Sequence, residues 1–335
     1  MRHEMSAQSP EDRLIARHFG PLARHPGALG LADDAAILVP PAGSDLVLKA
    51  DAVVGGVHFF PDDPADAIAR KALRVNLSDL AAKGARPLGF LLSLALPKAI
   101  GDDWLAAFAG GLRADAEQYE CPLLGGDTDL TPGPVTVSIA SFGAVPSGTM
   151  VKRSGARAGD RVVVTGTIGD ASLGLILRKE ADASRRWELE PDMRDHLLDR
   201  YLLPRPRNAV ADLLRRFASA GMDVSDGLAG DLAKLCRASA VSAVIRAASV
   251  PLSAAARTAV RHDPSLIEPV LTGGDDYEIL ATVAASQLEA FRVAAALFGV
   301  ELTDIGEIVA GSDAPRFVGA DDQALEFARP SFSHF

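Results

Sequence analysis

The sequence predicts an α/β (α+β) protein with two domains, and three observations support this prediction. The chain has 335 residues, more than one ordinary hydrophobic core accommodates. Short apolar runs typical of strands alternate with longer segments of helical periodicity. A stretch of turn-forming residues, Pro146-Ser147-Gly148, lies between the two halves. We therefore expect an N-terminal domain over residues 1–148, with one sheet and a few helices, and a C-terminal domain over residues 149–335.

The N-terminal half contains three predicted helices. Ser9-Pro10 is a typical helix start, and this helix should stop by Gly20. The second helix runs from Asp63-Pro64 to about residue 83, because Gly84 is a natural C-cap. The third covers residues 102–119. Apolar, β-rich runs predict strands over residues 35–39, 45–50, 88–96, 121–124 and 135–145.

The C-terminal half also mixes strands and helices. Strands are predicted over residues 161–165, 222–226, 241–247 and 277–283, with a final hairpin formed by 317–318 and 325–327. One helix begins near Ala171, and others cover residues 209–220, 228–238 and 287–297. The charged segment 179–195 is expected to be irregular.

Composition and charge exclude several classes of protein. Hydrophobic residues make up 48% of the chain and charged residues 23%, as in soluble globular proteins. The net charge of −10 argues against a nucleic-acid-binding protein, which needs a basic surface. The longest apolar run, residues 90–96, is far shorter than the roughly 20 residues that span a bilayer. With no signal-peptide pattern at the N-terminus, we expect a cytoplasmic protein with two buried thiols, Cys121 and Cys236.

Aspartates at the ends of apolar runs are the main candidates for chemistry. In Gly125-Gly126-Asp127-Thr128-Asp129, we expect the two glycines to let the backbone turn tightly and approach a ligand. Similar places are Asp33-Asp34, Asp51, Asp223-Val224-Ser225-Asp226-Gly227 and Gly273-Gly274-Asp275-Asp276. Asp79 shares a helix face with Asn76 and is a further candidate. Carboxylate oxygens suit Mg²⁺ and Mg²⁺ suits phosphates, so the pattern favours a magnesium site that handles a nucleotide.

Each aspartate taken alone is also explained as an ordinary turn residue, but five such places in one chain favour a shared site. Two carboxylates about 4 Å apart repel by roughly 4 kcal/mol at an effective dielectric near 20, so a converging set requires protons or divalent cations. The sequence has neither a Walker A motif nor the HRD and DFG motifs of protein kinases. A nucleotide enzyme with this sequence therefore needs another fold.

His58 and the basic cluster at Lys152-Arg153 are two further candidates, and each has either a functional or a purely structural explanation. His58 follows paired glycines, and it either contacts a ligand or packs against the neighbouring phenylalanines. The basic cluster around Lys152-Arg153 is either a solvated linker or a phosphate clamp, because guanidinium groups match phosphate oxygens.

Motifs along nearly the whole chain resemble those of one family, in the same order. The most specific are Asn76-Leu77-Ser78-Asp79 and Gly125-Gly126-Asp127-Thr128, and the others lie at residues 32–35, 56–59, 71–75, 80–82, 153–156, 223–228, 273–278 and 334–335. This set resembles the thiamine-monophosphate kinase family, of the superfamily that includes aminoimidazole-ribonucleotide synthetase and selenophosphate synthetase. The resemblance implies a two-domain synthetase-like fold. In that fold an N-terminal mixed sheet pairs with a second subunit's sheet to form a barrel across a homodimer, and a C-terminal α/β domain closes the cleft.

The same resemblance implies an activity. ATP would donate its γ-phosphoryl group to the phosphate of thiamine monophosphate, which gives thiamine diphosphate and ADP, with several Mg²⁺ ions as cofactors. The implied partners are ATP, thiamine monophosphate and a second copy of the chain, with no nucleic acid and no membrane.

The resemblance also implies roles for individual residues. The implied magnesium ligands are Asp33, Asp51, Asp79, Asp127, Asp223 and Asp226. The implied ATP contacts are Gly126, Asp127, Arg153 and Ser225, and the implied contacts to the thiamine moiety are His58, Asp275 and Phe332. We assign no catalytic base, because the acceptor phosphate is already ionised near neutral pH. Metals and Arg153 would lower the barrier by neutralising charge and positioning the two anions.

Three departures from the family pattern affect the expected site. Ala32 stands where the family usually has glycine, which can shift the turn before Asp33. Lys49-Ala50 replaces the usual hydroxyl residues before Asp51, and we hypothesise that the Lys49 ammonium replaces part of a metal's charge. Asp275 replaces a usual glutamate, so its contact to the substrate is expected to pass through water.

Three other functions compete with this interpretation. A sibling ATP-dependent synthetase is one, although a selenide enzyme would want a reactive cysteine and a lysine near the N-terminus. A non-catalytic nucleotide-binding homologue would bind ATP tightly without turnover. A metal-dependent phosphatase would release inorganic phosphate without a phosphorylated acceptor.

Overall fold

Two sheets organise the chain, one in each of two units. The computed structural model describes residues 9–319, 321–329 and 331. The first unit comprises Met1–Asn76 and Pro87–Ala144, and the second comprises Leu77–Arg86 and Val145–Phe335. The segment Leu77–Arg86 therefore belongs with the C-terminal unit, although it lies within the N-terminal half of the sequence.

The first unit is built on a four-stranded sheet with the strand order β1-β4-β2-β3. Its strands are β1 (Ser44–Val54), β2 (Arg86–Leu96), β3 (Leu123–Leu130) and β4 (Thr136–Pro146). The helices of this half of the sequence are α1 (Pro10–Leu14), α2 (Ala65–Ala82) and α3 (Asp102–Gln118). These bounds confirm the three predicted helices and the strands predicted at 45–50, 88–96 and 135–145.

Local sequence explains where the first two helices begin and end. Ser9 caps α1, since its hydroxyl accepts a 2.9 Å hydrogen bond from the Asp12 amide while the Asp12 carboxylate accepts one of 3.0 Å from the Ser9 amide. Helix α2 buries Ile68 and Val75 at helical spacing. It ends before Gly84, whose φ of +71° is a left-handed conformation that favours glycine.

Two predictions for the N-terminal half are wrong. Residues 35–39 form no strand, because this segment folds back onto the 3-10 helix Pro26–Leu31, where the Ile37 amide donates a 2.8 Å hydrogen bond to the Gly27 carbonyl. The segment 125–129 is not a turn but the middle of β3, which runs parallel to β2 with Asp127 opposite Ser93. Gly126 is needed for close strand approach, since a Cβ there would lie 1.9 Å from the Leu92 carbonyl oxygen.

The second unit is built on a six-stranded sheet with the order β10-β7-β9-β5-β8-β6. The strands are β5 (Asp160–Thr165), β6 (Ala218–Asp223), β7 (Ser242–Arg246), β8 (Ile279–Ala284), β9 (Leu302–Val309) and β10 (Arg316–Val318). The helices are α4 (Asp170–Lys179), α5 (Ala183–Arg186), α6 (Pro191–Leu202), α7 (Ala211–Phe217), α8 (Leu228–Ser239), α9 (Ala254–His262), α10 (Ile267–Thr272) and α11 (Leu288–Ala296). Strand β5 pairs antiparallel with both β8 and β9, and its side chains Val162 and Val164 are fully buried.

The C-terminal predictions are confirmed in part. Strand β6 ends at Asp223, so Ser225 and Asp226 follow the strand rather than lie within it. The segment 179–195, expected to be irregular, contains α5 and the start of α6. Helices α9 and α10 and strand β9 were not predicted. Both helices are short, and the buried face of α9 is formed mainly by alanines rather than by large apolar residues. Strand β9 carries Asp304 and Glu307, which pair with Arg161 of β5.

Both cysteines are buried free thiols, as predicted. Burial raises the pKa of the Cys121 thiol to about 12, against a hydrogen bond from the Gly89 backbone, so this thiol is unreactive near neutral pH. Within the described ranges, no helix has both the length and the apolar character to cross a membrane.

Candidate active site

A cavity of ≈ 830 Å³ in the first unit collects several of the predicted residues. Asp33, Gly126 and Asp127 line it, so the structure brings these three together, and Asp34 lines it as well. The remaining wall is largely apolar and includes Leu46, Leu48, Leu91 and Phe142. The cavity therefore combines exposed carboxylates with an apolar surface.

Strand β3 explains how Asp127 reaches this cavity. Because Gly126 lacks a side chain, β3 approaches β2 closely enough to pair with it, and the next residue, Asp127, is exposed. Asp33 is held in a bend of the chain, where its Oδ1 accepts a 2.8 Å hydrogen bond from the Asp34 amide. Both carboxylates are open to solvent and offer the hard oxygen atoms that divalent cations prefer.

Asp51 lies on β1, and its position is set by two neighbours. Its amide donates a 3.0 Å hydrogen bond to Oδ1 of Asn76, which is fully buried on α2. Its Oδ2 lies 3.0 Å from Nζ of Lys49, two residues earlier on the same face of the strand. Asp51 does not line the cavity that holds Asp33 and Asp127.

His58 closes the turn that follows β1. Its Nδ1 accepts a 3.0 Å hydrogen bond from the Val54 amide, and its carbonyl oxygen accepts one of 2.9 Å from Nζ of buried Lys71. In the neutral ring the proton therefore resides on Nε2. His58 is partly exposed, which is compatible with a contact to a ligand.

In the second unit, Asp223 ends strand β6 and contacts the helix that carries Asp79. The Ser78 hydroxyl donates a 2.8 Å hydrogen bond to Oδ2 of Asp223. Both residues are buried, while Asp79 is partly exposed. Two stretches 145 positions apart in sequence, the Asn76–Asp79 helix and the Asp223–Gly227 turn, are joined at this point.

The turn after β6 is held by a residue that the sequence analysis missed. Oδ2 of Asp231, on α8, accepts hydrogen bonds from the amides of Ser225 (2.9 Å) and Asp226 (2.8 Å). Oδ1 of Asp231 lies 2.8 Å from Nζ of Lys234, which also donates to Oδ2 of Asp226. The repetition of aspartate five residues after Asp226, with lysine three residues later, is the signal that could have revealed this group.

Charge and burial oppose each other in this group. Burial raises the pKa of Asp231 above its ordinary value, although hydrogen bonding and the charge of Lys234 act in the other direction. Burial alone would lower the pKa of Lys234, but hydrogen bonds to Asp226 and Asp231 and their negative charges together raise it. Lys234 therefore stays positively charged near neutral pH.

Asp275 lies beside Ser225. Its amide donates a 2.9 Å hydrogen bond to the Ser225 carbonyl, and its φ is +72°. Gly274 permits the approach, since a Cβ there would lie 2.3 Å from the same carbonyl oxygen. The structure thus brings Ser225, Asp226 and Asp275 together on adjoining loops.

A buried network anchors the loop that carries Asp275. Asp276 accepts a 2.7 Å hydrogen bond from the Gly169 amide, and burial, together with the nearby charge of Asp170, raises the pKa of Asp276 well above its ordinary value despite that bond. Glu278 is fully buried and pairs with Arg200 at 3.0 Å and with Arg207 at 2.6 Å. These contacts hold the segment before β8 rigidly.

Arg153 lies in the loop before β5 and contacts the end of α8. The side chain of Arg153 is exposed, and its carbonyl oxygen accepts a 2.9 Å hydrogen bond from the Ser239 hydroxyl at the end of α8. Phe332 lies outside the described residues. The nearby Ser331 is described, and its hydroxyl donates a 3.3 Å hydrogen bond to the Asp226 carbonyl.

The donor set fits Mg²⁺ by its chemistry, although the described part of the chain contains no ready-made group of three or more His, Cys, Asp or Glu side chains for a metal. All six predicted ligands offer carboxylate oxygens. Asp51 and Asp226 each pair with a lysine ammonium. The six ligands are divided between the units, with three in the first and three in the second.

Comparison with known proteins identifies the class. The sequence matches the models of the AIR synthase related protein N-terminal domain, over residues 32–145, and the AIR synthase related protein C-terminal domain, over residues 157–318. Together with the mixed helices and sheets of the two units, these matches define a two-domain protein with the AIR synthase related fold.

More specific relatives share most of the chain. It is 42% identical over 301 residues to thiamine-monophosphate kinase of Caulobacter vibrioides, which covers 89% of this chain and 83% of that protein. The crystal structure of thiamine-monophosphate kinase from Stenotrophomonas maltophilia K279a aligns with a TM-score of 0.80 and 38% identity, covering 94% of this chain and 96% of that one. A structure of AaThiL complexed with AMPPCP and TMP aligns with a TM-score of 0.75 and 31% identity, covering 90% and 91%. The chain belongs to the thiamine-monophosphate kinase family, which confirms the predicted family and two-domain fold.

Proposed function

We propose that this protein phosphorylates thiamine monophosphate with ATP and releases thiamine diphosphate and ADP. The observation that carries the proposal is the match to thiamine-monophosphate kinases across both units, at 42% identity over 301 residues. The solved relative that holds AMPPCP and TMP matches 90% of this chain and supports the same pair of substrates.

The nucleotide and the metal ions are assigned to the residues that the family resemblance implies. Gly126 and Asp127 of the first unit, with Ser225 and Arg153 of the second, would contact ATP. Mg²⁺ ions would be held by Asp33, Asp51, Asp79, Asp127, Asp223 and Asp226, and when bound they would neutralise phosphate charge. The exposed carboxylates of Asp33 and Asp127 on one cavity and the pairing of Asp226 with an ammonium support this assignment.

The thiamine moiety is assigned to His58, Asp275 and Phe332. The hydrogen bond from the Val54 amide to Nδ1 orients the His58 ring and leaves Nε2 as the protonated nitrogen. The buried Asp276 and Glu278 fix the loop of Asp275. Because Asp275 has a short side chain, we expect its contact to the substrate to include a water molecule.

Positioning accounts for the chemistry without a general base. The acceptor phosphate is ionised near neutral pH, so the main barrier is the approach of two anions in line. The exposed guanidinium of Arg153 can pair with phosphate oxygens and reduce their repulsion. The rigid turn held by Asp231 places Ser225 and Asp226 at fixed positions.

We further propose a homodimer that uses the open face of the first sheet. Leu46 and Leu48 of β1 are exposed, at 42% and 67%, as are Ile37 and Val39 before it, at 57% and 79%. Leu46 and Leu48 also line the cavity of Asp33 and Asp127, so a second copy at this face would adjoin that cavity. Several exposed apolar side chains on neighbouring segments are unusual on a monomer and fit a second copy of the same sheet. Light scattering after size exclusion should give twice the mass of the 35.0 kDa chain, and Leu48→Glu should shift it to the monomer.

One assay tests the activity. Purified protein is incubated with ATP, Mg²⁺ and thiamine monophosphate, and thiamine diphosphate and ADP are both quantified. We expect equal amounts of the two products and no product with excess EDTA. ADP and inorganic phosphate without thiamine diphosphate would contradict the proposal and favour a phosphatase, and ATP binding without either product would favour a non-catalytic nucleotide-binding protein. We expect the enzyme to act in the cytoplasm, where ATP is available.

A further inference from the structure

Lys234 joins two carboxylates at the first turns of α8. Its Nζ contacts Oδ2 of Asp226 and lies 2.8 Å from Oδ1 of Asp231. The lysine side chain is 28% exposed, so its head is close to solvent but held by both acids. Asp226 is one of the proposed magnesium ligands, and Asp231 is not.

The two carboxylates differ in whether they can release the lysine. Asp231 is fully buried, and its second oxygen is engaged by the amides of Ser225 and Asp226. An unpaired charge in that position is costly, so Asp231 must keep a cation. Asp226 is 38% exposed and can exchange one cation for another at low cost.

We propose that Lys234 is a built-in counterion that competes with the divalent cation for Asp226. When the cation binds, the ammonium gives up Oδ2 of Asp226 and remains on Oδ1 of Asp231. This inference rests on the proposed function, because it takes Asp226 as a ligand of the Mg²⁺ that accompanies ATP. Lys234 would then set the concentration of free Mg²⁺ that the enzyme needs.

Charge counting gives the direction of the effect. Two carboxylates and one ammonium carry one net negative charge, and a divalent cation converts this to one net positive charge. Without the ammonium, the same cation brings the group to neutrality. Two carboxylates alone attract a divalent cation more strongly than two carboxylates that share an ammonium. The group therefore binds the cation more tightly when the Lys234 ammonium is removed.

The first unit repeats the arrangement. Nζ of Lys49 lies 3.0 Å from Oδ2 of Asp51, another proposed magnesium ligand, and the side chains are 29% and 41% exposed. Asp51 in the first unit and Asp226 in the second therefore each pair with a lysine. This repetition agrees with a function of the lysines in cation binding.

Cation affinity provides a test that does not depend on turnover. Binding of Mn²⁺ is measured by electron paramagnetic resonance of the free ion, with the protein saturated with AMPPCP. We expect Lys234→Met to lower the Kd for Mn²⁺ about tenfold. Lys179→Met is the matched control, since it removes the same charge from the exposed end of α4 and should leave the Kd unchanged.

A second variant should move the affinity in the opposite direction. Asp231→Asn keeps an acceptor oxygen for the two amides but leaves Lys234 with Asp226 alone. We expect a Kd for Mn²⁺ about threefold to tenfold higher than that of the wild type. Opposite shifts in the two variants cannot come from loss of folding, which weakens binding in both.

Thermal unfolding completes the test. In EDTA, Lys234→Met should unfold at a lower temperature than the wild type, because buried Asp231 loses its cation. Added Mn²⁺ should then raise its unfolding temperature by more than it raises that of the wild type. If the ion pair were purely structural, Lys234→Met would unfold at a lower temperature in EDTA, but Mn²⁺ would stabilise it no more than it stabilises the wild type.

An unchanged or raised Kd in Lys234→Met, or a lowered Kd in Asp231→Asn, would overturn the proposal. So would the absence of Mn²⁺ binding in all variants. These outcomes are separable from failure of the proposed function, which appears as missing thiamine diphosphate in the wild-type assay with Mg²⁺. If the wild type forms product but the Kd for Mn²⁺ is unchanged in both variants, only the competition by Lys234 is rejected.

Discussion

The hydroxyl of Ser78 donates a 2.8 Å hydrogen bond to Oδ2 of Asp223, and both residues are buried. The bond joins the C-terminal turns of α2 to the end of β6. It is one of the contacts that join residues 77–86 to the rest of the C-terminal unit. The contact also fixes one oxygen of a proposed magnesium ligand, so that the other oxygen has a defined direction.

Removing this donor should destabilise the protein. Ser78→Ala removes the hydroxyl that donates to the buried carboxylate of Asp223. We expect the free energy of unfolding, measured with urea, to fall by about 1–3 kcal/mol. Ser141→Ala is the matched control, because the buried Ser141 hydroxyl has no hydrogen-bond partner among the described residues. Equal losses in both variants would show that the hydrogen bond to Asp223 is not the cause.

Close strand approach at Gly126 predicts a second effect on stability. Gly126→Ala would place a Cβ 1.9 Å from the Leu92 carbonyl oxygen, so β3 has to move away from β2. We expect a loss of about 3 kcal/mol or more, or insoluble protein. Circular dichroism during thermal unfolding provides the measurement.

The control for this substitution lies in a helix. Gly110 is exposed in α3, and a Cβ there meets nothing within 4 Å. Gly110→Ala should therefore raise stability by about 0.5–1 kcal/mol. If Gly126→Ala is tolerated as well as Gly110→Ala, the paired register of β2 and β3 is wrong.

Much of the fold followed from the sequence, because local signals and tertiary contacts agree in the long elements. Capping at Ser9, the buried stripe of α2 and the left-handed Gly84 were all readable along the chain. The glycines at 125 and 126 were misread as a turn, because sequence alone does not distinguish a glycine that turns the chain from one that admits a neighbouring strand. The apolar run 35–39 was misread since a strand needs a partner, which periodicity does not reveal.

The candidate site was predictable as a set of residue types but not as a geometry. The resemblance identified the six aspartates, and the structure places Asp33 and Asp127 on one cavity and Ser225 beside Asp275. Asp231 and Lys234 were missed because an acid and a base at helical spacing look like an ordinary exposed pair. Only the burial of Asp231 and its bonds to the turn of Ser225 reveal its positioning role.

A buried carboxylate at the start of α4 predicts a pH dependence of stability. Asp170 is fully buried, and burial alone would raise its pKa. Hydrogen bonds from His196, Ser253 and Thr167 outweigh burial and hold the pKa of Asp170 below its ordinary value. The folded state therefore favours the ionised form, and this contribution is present above the ordinary carboxyl pKa of about 4 and is lost as the pH falls through the lowered value.

The variant Asp170→Asn tests this sign. We expect it to unfold more easily than the wild type by about 1–3 kcal/mol at pH 7, with a difference that shrinks as the pH falls below about 4. Urea unfolding at a series of pH values from 7 down to the limit of the folded state measures the difference. A gap that widens on acidification would mean that burial, and not the three donors, controls this carboxyl group.

The acidic cavity predicts a separation of activity from stability. Asp127 is exposed, so Asp127→Asn should leave the unfolding temperature unchanged or slightly higher, because it also relieves repulsion from Asp33 and Asp34 on the same cavity. If Asp127 holds a cation that accompanies ATP, kcat/KM for thiamine diphosphate formation should fall about 100-fold or more. Asp129→Asn is the matched control, since Asp129 lies two residues further along β3, is also exposed and does not line the cavity. Near-wild-type activity in Asp127→Asn, or an equal loss in Asp129→Asn, would remove Asp127 from the proposed site.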